Sequence, residues 1–311
     1  MDSKLRLSVQ TGDWYDELFG ADEGADEAFR FIKECGFDVL DYNIDHQLSV
    51  RSLIKGEMTD YFDVSDEEFV ARFVTVKEAM KRQGISMGQA HAPFPLYVEG
   101  REDINDFLIK VVEKQCALCQ FLECPALVVH PYTNPADKEE EKRINLEMYR
   151  KMIPAGKKYG VTLCLENMFA WFNGHATLGA CGEAAEACWY IDTLNAEAGQ
   201  DIFGYCFDVG HANLCSRNIR QELQTLGHRL TILHIHDNDG QSDQHQMPYA
   251  GKVGTDWQGF MDGLKDIQYE GTLNFETFAS LKGGIPQELF GAKLKFLHEV
   301  GVYFQKKINE A

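Results

Sequence analysis

The chain has 311 residues, of which 44% are hydrophobic, and its formal net charge is −19. This length suffices for one large α/β barrel or two small domains, and no apolar run approaches the roughly 18 residues of a membrane helix. The acidic balance argues against nucleic acid as a partner, because it repels phosphate backbones and offers no counterion-release affinity.

The N-terminal residues and the cysteines of the chain are used to predict its cellular compartment. Met1–Arg6 carries charges but no following apolar segment, so no signal peptide is predicted. Nine cysteines are scattered, and some, such as Cys164 and Cys206, fall within apolar stretches. These features predict reduced thiols and a cytoplasmic location. Cys116 and Cys119 form an isolated CxxC on a predicted helix, for which packing is the preferred interpretation.

One unit recurs about eight times along the chain: a short apolar strand, a polar loop and an amphipathic helix. The predicted strands are Leu5–Val9, Val39–Ile44, Ile85–His91, Ala126–His130, Val161–Glu166, Phe203–Asp208, Leu230–His236 and Thr272–Glu276. This repetition predicts the α/β class and a single (β/α)8 TIM barrel over residues 1–311. A doubly wound sheet is the competing fold, but its GxGxxG fingerprint is absent.

Helix boundaries are predicted from caps and apolar stripes. The helix after the second strand should begin at a capping box and end at Gly84, with one stripe formed by Phe69, Phe73, Val76 and Met80. Its box consists of Ser65 and Glu68, and Thr255 with Gln258 repeats the pattern. Pro286 lies near the start of the last helix, whose stripe is Phe290, Leu294 and Leu297.

Polar strand ends are the main functional signal. Six consecutive predicted strands finish in His or carboxylate residues: His91, His130, Glu166, Asp208 with His211, His236 with Asp243 and His245, and Glu276. Side chains two apart share a strand face, so an inward Glu166 brings Cys164 inward, and an inward Asp208 does the same for Cys206. Because catalytic groups of barrels lie at strand C-termini, and because buried carboxylates need cations, the series predicts a metal centre.

The ordered motifs resemble the xylose-isomerase-like TIM-barrel superfamily, which includes sugar phosphate isomerases and epimerases, ketose 3-epimerases, inosose dehydratases and apurinic endonucleases. The resemblance covers about residues 85–280. It is carried by the segments His91–Phe94, His130–Pro131, Glu166–Asn167, Asp208–His211, His236–Asp239, Asp243–His245 and Glu276, and the loop Gly251–Trp257 is also similar.

The resemblance implies roles for particular residues. Glu166, Asp208, His236 and Glu276 would hold a central divalent ion (Zn, Mn, Co or Mg). His211 would bind a substrate oxygen in the sugar enzymes or a further zinc in the endonucleases. The endonucleases use residues matching His91, His130, Asp243 and His245 for further ions, so the number of ions stays open.

Some histidines are less clearly assigned. His234 would lie one layer below His236, as its support or as the ligand itself if the register shifts by two residues. No function is assigned to the remaining four, His46, His175, His228 and His298.

The implied function is a metal-dependent isomerase or epimerase of a sugar, sugar phosphate or polyol. Glu166 and Glu276 would act as general base and acid, and His211 would hold the substrate. Aromatic residues expected at the rim could stack on a sugar: Trp14, Tyr15, Phe94, Phe169, Trp171 and Trp257. A membrane role is not expected, and the sequence is compatible with a homo-oligomer.

Two differences from the family pattern restrict the range of substrates that we expect. Ketohexose 3-epimerases carry an Arg shortly after the metal His, whereas Asp237–Ser242 contains no basic residue. Rim cations are few, with Lys252 the main candidate, so an unphosphorylated sugar or polyol fits at least as well as a sugar phosphate. The alternatives are a zinc-dependent apurinic endonuclease, which the charge and the lack of basic clusters oppose, and a non-catalytic metal or sugar binder, which would not need paired glutamates.

Overall fold

The computed structural model of the chain describes residues 5–43, 48–57, 59–251, 254–281 and 285–310. Ten strands occur in this part of the chain: β1 (Arg6–Gln10), β2 (Val39–Asn43), β3 (Ser86–His91), β4 (Ala126–Val129), β5 (Thr162–Glu166), β6 (Phe169–Phe172), β7 (His175–Leu178), β8 (Phe203–Asp208), β9 (Leu230–His234) and β10 (Thr272–Phe275). Strands β6 and β7 pair only with each other, as an antiparallel hairpin.

The other eight strands are parallel and form a nearly closed barrel. Their order is β10-β1-β2-β3-β4-β5-β8-β9. The two ends of this series meet through one bridge, in which Ile235 N donates to Asn274 O (2.9 Å) and Glu276 N donates to Ile235 O (3.1 Å). We call this bridge the β9–β10 joint. The predicted (β/α)8 barrel is therefore confirmed, with its eight strands at the predicted positions and about half of their ends shifted by one or two residues; Ile44 lies outside the described residues.

Helices lie between the strands. Their bounds are α1 (Asp13–Phe19), α2 (Ala25–Glu34), α3 (Val50–Ile54), α4 (Asp66–Ala71), α5 (Val74–Gln83), α6 (Glu102–Phe121), α7 (Lys138–Tyr159), α8 (Ala184–Ala198), α9 (Val209–Leu214), α10 (Ile219–Leu226), α11 (Trp257–Asp266), α12 (Phe278–Leu281) and α13 (Phe290–Asn309). Short 3-10 helices occupy Ala21–Gly24, Gly227–Arg229 and Gln287–Leu289. None of the helices in the described ranges combines the length and apolar character that a membrane crossing requires.

The predicted helix boundaries are confirmed in part. Ser65 and Glu68 form the predicted capping box, and Gly84 ends α5 in the left-handed conformation. The single helix predicted between them is wrong, because the chain turns between α4 and α5 while keeping both Phe69 and Phe73 buried.

The predicted second box is also wrong. Asp256 caps α11 by accepting from Gly259 N at 2.9 Å, whereas Thr255 Oγ1 donates to Asp237 at 2.6 Å. The stripe of the last helix is buried as predicted: Phe290, Leu294 and Leu297.

Buried apolar residues form two clusters, one on each face of the barrel strands. The larger core lies between strands and helices and includes Leu163, Leu165, Phe207, Leu273 and Phe275. A separate small cluster consists of Ala126, Val128, Cys164, Cys206 and Ile232, which alternate with those outward residues along their strands. The predicted inward direction of Cys164 and Cys206 is thus confirmed. All nine cysteines are free, and Cys116 and Cys119 are buried within α6.

Candidate metal centre and active site

A cavity of about 470 Å³ opens at the C-terminal ends of the barrel strands. Seven of the nine predicted ligand residues line it: His91, His130, Glu166, His211, Asp243, His245 and Glu276. The other two, Asp208 and His236, are completely buried and contact the lining residues. The structure therefore brings all nine sequence-predicted residues to one end of the barrel.

Asp208 is the common member of two ligand groups. Single donor atoms of Asp208, His236 and Glu276 all lie within 4.8 Å of one another, and so do those of Glu166, Asp208 and His211. His236 Nε2 lies 3.0 Å from the Asp208 carboxylate. The four residues expected to hold a central ion thus converge around one carboxylate.

A further group lies beside this centre. Donor atoms of His211, His236, Asp243 and His245 also lie within 4.8 Å of one another. His245 Nε2 is 3.0 Å from Asp243 Oδ2, and His211 Nε2 is 3.7 Å from the same oxygen. Imidazole and carboxylate donors at this separation suit zinc and related ions.

The remaining two predicted histidines stand next to the glutamates. His91 Nε2 lies 3.6 Å from Glu276 Oε1. His130 Nε2 lies 3.1 Å from Glu166 Oε2, but the geometry between them satisfies no hydrogen bond. Both side chains are therefore close to a carboxylate without being fully paired with it.

His234 occupies the floor of the site. Its Nδ1 lies 3.4 Å from Glu166 Oε1, 3.3 Å from Glu276 Oε2 and 3.8 Å from Asp208 Oδ2. Neither ring nitrogen has a hydrogen-bond partner, and the side chain is fully buried. Both His234 and His236 reach the centre, so the preference for His236 as the ligand stays a prediction.

Three residues that contact the candidate ligands were not among the predicted site residues: Gln10, Asp41 and Asn167. Gln10, the last residue of β1, donates from Nε2 to Glu276 Oε1 at 2.8 Å. Asp41 of β2 lies 3.0 Å from His91 Nδ1 and accepts from Asn274 Nδ2 at 2.9 Å. The available signal was a polar residue at an inward position of an otherwise apolar strand.

Asn167 ties β5 to β8 at the site. Its Nδ2 donates to the Asp208 carbonyl, and its Oδ1 accepts from Asp208 N, both at 2.7 Å. Its own carbonyl oxygen lies 2.8 Å from His211 Nδ1. This residue therefore fixes the backbone of one ligand and the ring of another, and its signal was the Glu-Asn pair at the strand end.

Oxygen acceptors orient three of the histidine rings. Nδ1 of His91, His211 and His245 lies within 3.1 Å of the Asp41 carboxylate, the Asn167 carbonyl and the Glu276 carbonyl, respectively. Because these oxygens only accept, Nδ1 carries a proton in each ring, and the neutral form of each ring would present the lone pair of Nε2. Such partners are the usual supports of metal-binding imidazoles.

The Asp208–His211 segment shows how local sequence builds the centre. Asp208 ends β8 and caps α9, accepting from His211 N at 2.6 Å, so that His211 follows one turn later. A Cβ atom at Gly210 would lie only 1.9 Å from His236 Cε1. Glycine is therefore required at this position for the His236 ring to approach α9.

Electrostatics favour charged groups in the site. Burial alone would raise the pKa of Glu166, but nearby His234, His130 and His211 outweigh it and hold the pKa well below its usual range. Burial alone would lower the pKa of His245, but Glu276 and Asp243 raise it to about 9. The carboxylates and imidazoles thus compensate one another's charge, and each protonated imidazole would have to lose a proton before binding a metal.

Buried polar atoms without hydrogen-bond partners indicate whether the site is suited to a metal ion. Eight buried side-chain atoms of the site have no hydrogen-bond partner in the described structure: His91 Nε2, His130 Nδ1, Glu166 Oε2, both ring nitrogens of His234, His236 Nδ1, Asp243 Oδ1 and Glu276 Oε2. Leaving a buried polar atom unpaired costs about 1–3 kcal/mol, so such a concentration is unfavourable without a ligand. Imidazole nitrogens and carboxylate oxygens are the donors that Zn, Mn and Co bind, and the residues fit such an ion.

The predicted rim aromatics divide into two sets. Trp14, Tyr15 and Trp257 are buried, so their placement at the rim is wrong. The indoles of Trp14 and Trp257 bind the Gln10 carbonyl (3.1 Å) and Asp237 (3.2 Å), which draws them into the core. The remaining three lie near the cavity: Phe94 and Phe169 line it, and Trp171 contacts Phe169.

Positive charge is scarce around the cavity. Among the described residues, none of those that line it is Lys or Arg. Lys252, the cation singled out from the sequence, lies outside the described residues, as do Val253 of the same loop and His46. His175, His228 and His298 are not among the residues that line the cavity.

The comparison with protein families agrees with this architecture. A family model described as "Xylose isomerase-like TIM barrel" matches residues 29–300. An uncharacterized protein from Sinorhizobium fredii is 38% identical over 84 residues (27% of this chain, 26% of the relative), and one from Methanocaldococcus jannaschii is 27% identical over 164 residues (50% and 51%). The matched segments thus span about a quarter and about half of these two relatives.

Solved structures share the fold at low identity. The 3-keto-D-glucoside 4-epimerase from E. coli superposes with a TM-score of 0.65 and 18% identity, covering 95% of this chain and 99% of that one. D-psicose 3-epimerase gives a TM-score of 0.68 and 16% identity, covering 97% and 99%. A xylose isomerase domain protein from Alicyclobacillus acidocaldarius gives 0.70 and 14%, covering 98% and 100%. At these identities the likeness shows the fold alone.

Proposed function

Because the chain belongs to the xylose isomerase-like TIM-barrel family, we propose that it is a divalent-metal-dependent isomerase or epimerase of an unphosphorylated sugar or polyol. The observation that carries this proposal is the pair of glutamates at the floor of the cavity. The carboxylates of Glu166 and Glu276 lie 3.4 and 3.3 Å from His234 Nδ1. They stand at the ends of β5 and β10, which are not neighbouring strands in the barrel. The sugar-epimerase activities of the structural neighbours support the same class.

Glu166, Asp208, His236 and Glu276 would hold the ion. A bound divalent ion would act as a Lewis acid on a hydroxy-carbonyl substrate, making the proton on the adjoining carbon more acidic. The protein's part is to fix the donor atoms: Gln10 binds Glu276, and Asn167 binds the Asp208 backbone. The nearby group of His211, Asp243 and His245 would suit a further ion or a substrate oxygen.

The two glutamates would transfer the proton. The lowered pKa of Glu166 keeps it as a carboxylate at neutral pH, so it is in the form that can accept a proton. In an epimerisation, one glutamate would remove the proton from carbon and the other would return a proton to the opposite face. In an aldose–ketose exchange, one glutamate would carry the proton between neighbouring carbons. His211, held by Asn167, would bind a substrate oxygen in either case.

The cavity lining favours an unphosphorylated substrate. Three carboxylates, Glu166, Asp243 and Glu276, face it, and no Lys or Arg occurs among the lining residues in the described ranges. A phosphate group is normally held by Arg, Lys or backbone N–H groups, so a phosphorylated sugar would meet repulsion here.

Deuterium exchange tests the proposed reaction. The Mn- or Zn-loaded protein is incubated in D2O with ketohexoses, ketopentoses and 3-ketoglucosides, and proton NMR follows exchange at carbons next to the carbonyl. Metal-dependent exchange, with a new epimer or isomer, is the expected result. Absence of exchange with the whole panel, from a protein that carries its metal, would contradict the proposal and favour a non-catalytic metal or sugar binder.

A second candidate function is an apurinic endonuclease. It is favoured by the group of His211, His236, Asp243 and His245, which provides donors for further ions next to the central ligands. The net charge of −19 and the lack of Lys and Arg among the described lining residues oppose it. Incubation of the zinc-loaded protein with an abasic-site duplex separates the two, because nicking at catalytic enzyme concentrations would reverse the ranking.

A further inference from the structure

The cavity is bordered by three aromatic side chains, and we call Phe94, Phe169 and Trp171 the aromatic collar. The Phe94 ring lies 5.1 Å from the His130 ring, and the Phe169 ring lies 4.9 Å from the His211 ring. Trp171 extends the series, with its ring 6.3 Å from Phe169.

The aromatic collar contacts two histidines, His130 and His211, that lie next to Glu166. His130 Nε2 and His211 Nδ1 lie 3.1 and 3.3 Å from the Glu166 carboxylate. Phe94 and Phe169 therefore stand one imidazole ring away from the proposed base. A ligand whose reacting carbon is next to Glu166 would have its far end among the collar rings.

Exposure of the collar points to a ligand. Phe94 and Trp171 are 56% and 54% exposed, although both belong to residue types that normally bury most of their area. Phe94 follows β3, and Trp171 belongs to the β6–β7 hairpin, so two separate segments present aromatic faces at one mouth. Exposed apolar area that borders a cavity is typical of a binding site.

The cavity lining combines polar and apolar side chains. Histidines, carboxylates, Gln10 and Asn43 supply the polar part, while Phe94, Met168, Phe169 and Phe278 supply the apolar part. Its volume of about 470 Å³ lies in the range that accommodates drug-sized ligands, which are larger than a single sugar ring. The lining therefore has room for a second, apolar group next to the sugar.

We propose that the aromatic collar is an aglycone subsite, and that the substrate is a glycoside whose sugar ring bears the carbonyl required by the proposed reaction and whose aglycone is an uncharged aromatic group. This inference rests on the proposed function and names its substrate class. Ring stacking on the collar would hold the aglycone while the floor holds the sugar. An anionic aglycone is disfavoured, because the described lining offers three carboxylates and neither Lys nor Arg.

Calorimetric titration with unreactive glycosides tests the subsite without requiring turnover. The probes are 4-nitrophenyl β-D-glucoside and β-D-galactoside, each compared with its methyl glycoside, on the metal-loaded protein. The expected result is that at least one aryl glycoside binds about tenfold or more tightly than its methyl counterpart. Each stacked aromatic contact contributes roughly that factor.

Matched variants locate the effect. Phe94→Ala and Trp171→Ala should each weaken binding of the aryl glycoside about tenfold and leave the methyl glycoside unaffected. Phe172→Ala is the control, because Phe172 is also exposed (46%) but alternates onto the other face of β6. These side chains are half exposed, so their truncation should not affect folding.

Three outcomes would overturn the subsite: equal binding of aryl and methyl glycosides, failure of every aryl probe to bind, or equal losses in Phe172→Ala and Trp171→Ala. A fourth would also do so. If sedimentation showed that Phe94→Ala and Trp171→Ala dissociate an oligomer without changing aryl affinity, the collar would be a subunit contact. Failure of the proposed function appears separately, as absence of deuterium exchange with intact aryl-glycoside binding.

Discussion

The side-chain amide of Gln10 donates a 2.8 Å hydrogen bond to Oε1 of Glu276, whereas Oε2 of the same carboxylate has no partner and lies 3.3 Å from His234 Nδ1. The bond joins β1 to the end of β10 and fixes which carboxylate oxygen faces the centre. Gln10→Met keeps the length of the side chain and removes the donor. We expect kcat to fall about 10- to 100-fold, since misplacement of a reacting group has effects of this size.

Steady-state kinetics with a thermal melt checks the Gln10 prediction. The melting temperature should change little, because methionine fills the same volume. An unchanged kcat in Gln10→Met would show that Glu276 needs no support from β1.

Proton transfer is expected to depend on both glutamates. Glu166→Gln and Glu276→Gln remove the base or acid while keeping the size of the side chain, so the fold should persist. We expect each to lower kcat by about 10²- to 10⁴-fold and to weaken metal binding. Circular dichroism, metal analysis and the exchange assay are the measurements. Either variant retaining wild-type turnover would reject its assigned role.

Asp41 is expected to control metal affinity through His91. Its carboxylate lies 3.0 Å from His91 Nδ1, accepts hydrogen bonds from Gln89 and Asn274, and lies 3.9 Å from His234 Nε2. Asp41→Asn replaces the acceptor by an amide that can donate, which disturbs the tautomer that leaves Nε2 unprotonated. Loss of such a supporting partner typically costs 10- to 100-fold in metal affinity.

Competition with a chelating dye measures the Asp41 effect. Asp38→Asn is a suitable control, because Asp38 is about half exposed and pairs with Arg6 at the opposite end of β2. Equal affinities for Asp41→Asn and the wild type would remove His91 from the metal-binding set.

Metal removal should destabilise the protein. We expect roughly one to three divalent ions per chain after loading, and chelation should lower the melting temperature by roughly 4 °C for each ion when free metal was about a hundred times its Kd. His236→Ala should abolish most of this shift. His228→Ala, an exposed histidine outside the cavity, should retain it. A loaded protein with less than about half an ion per chain would contradict the metal centre.

A pH-dependent contribution to stability is expected at Asp66, far from the metal ligands. Asp66 links α4 to α6 and α7 through Lys114 (2.7 Å), Lys158 (3.0 Å) and Tyr159. Burial alone would raise its pKa, but hydrogen bonds from these residues hold the pKa below the ordinary 3.8. Because the folded pKa is the lower one, the contribution is present above about pH 4 and is lost as the pH falls through the folded value.

Urea unfolding of the metal-free protein tests this contribution. At pH 7, Asp66→Asn should lower the free energy of unfolding by about 1–3 kcal/mol, because Lys114 is nearly buried and loses its charged partner. The difference should shrink below pH 4. Asp106→Asn is the control, since its pair with Lys151 is exposed and should contribute little. A difference that is constant from pH 7 to pH 3 would contradict the mechanism.

The barrel and its ligand residues could be predicted because their signals are local. Strand alternation within a few residues places Glu166 and Cys164 on one face, and parallel barrel strands share one C-terminal rim. Gln10 and Asp41 could not be found in this way, because their roles depend on which strands are neighbours. Register between β1 and β10 sets Gln10 against Glu276, and β2 lying beside β3 sets Asp41 against His91.

The predictions for the rim aromatic residues and for the second capping box were wrong for a related reason. Trp14 and Trp257 follow or precede polar loops in the sequence, but each indole N–H finds an acceptor that draws the ring inward. Thr255 and Asp256 are both acceptable caps, and the hydrogen bond from Thr255 to Asp237 decides between them. Such choices are settled by tertiary partners rather than by local pattern.

Two backbone hydrogen bonds at Ile235 close the barrel at the β9–β10 joint. His236 and Glu276 each follow this bridge by one residue, on its two sides. A cation bound by both side chains would link the two strands across the joint. Binding of the ion and closure of the barrel would then be coupled, so the ion proposed for the chemistry would also stabilise the barrel against local opening.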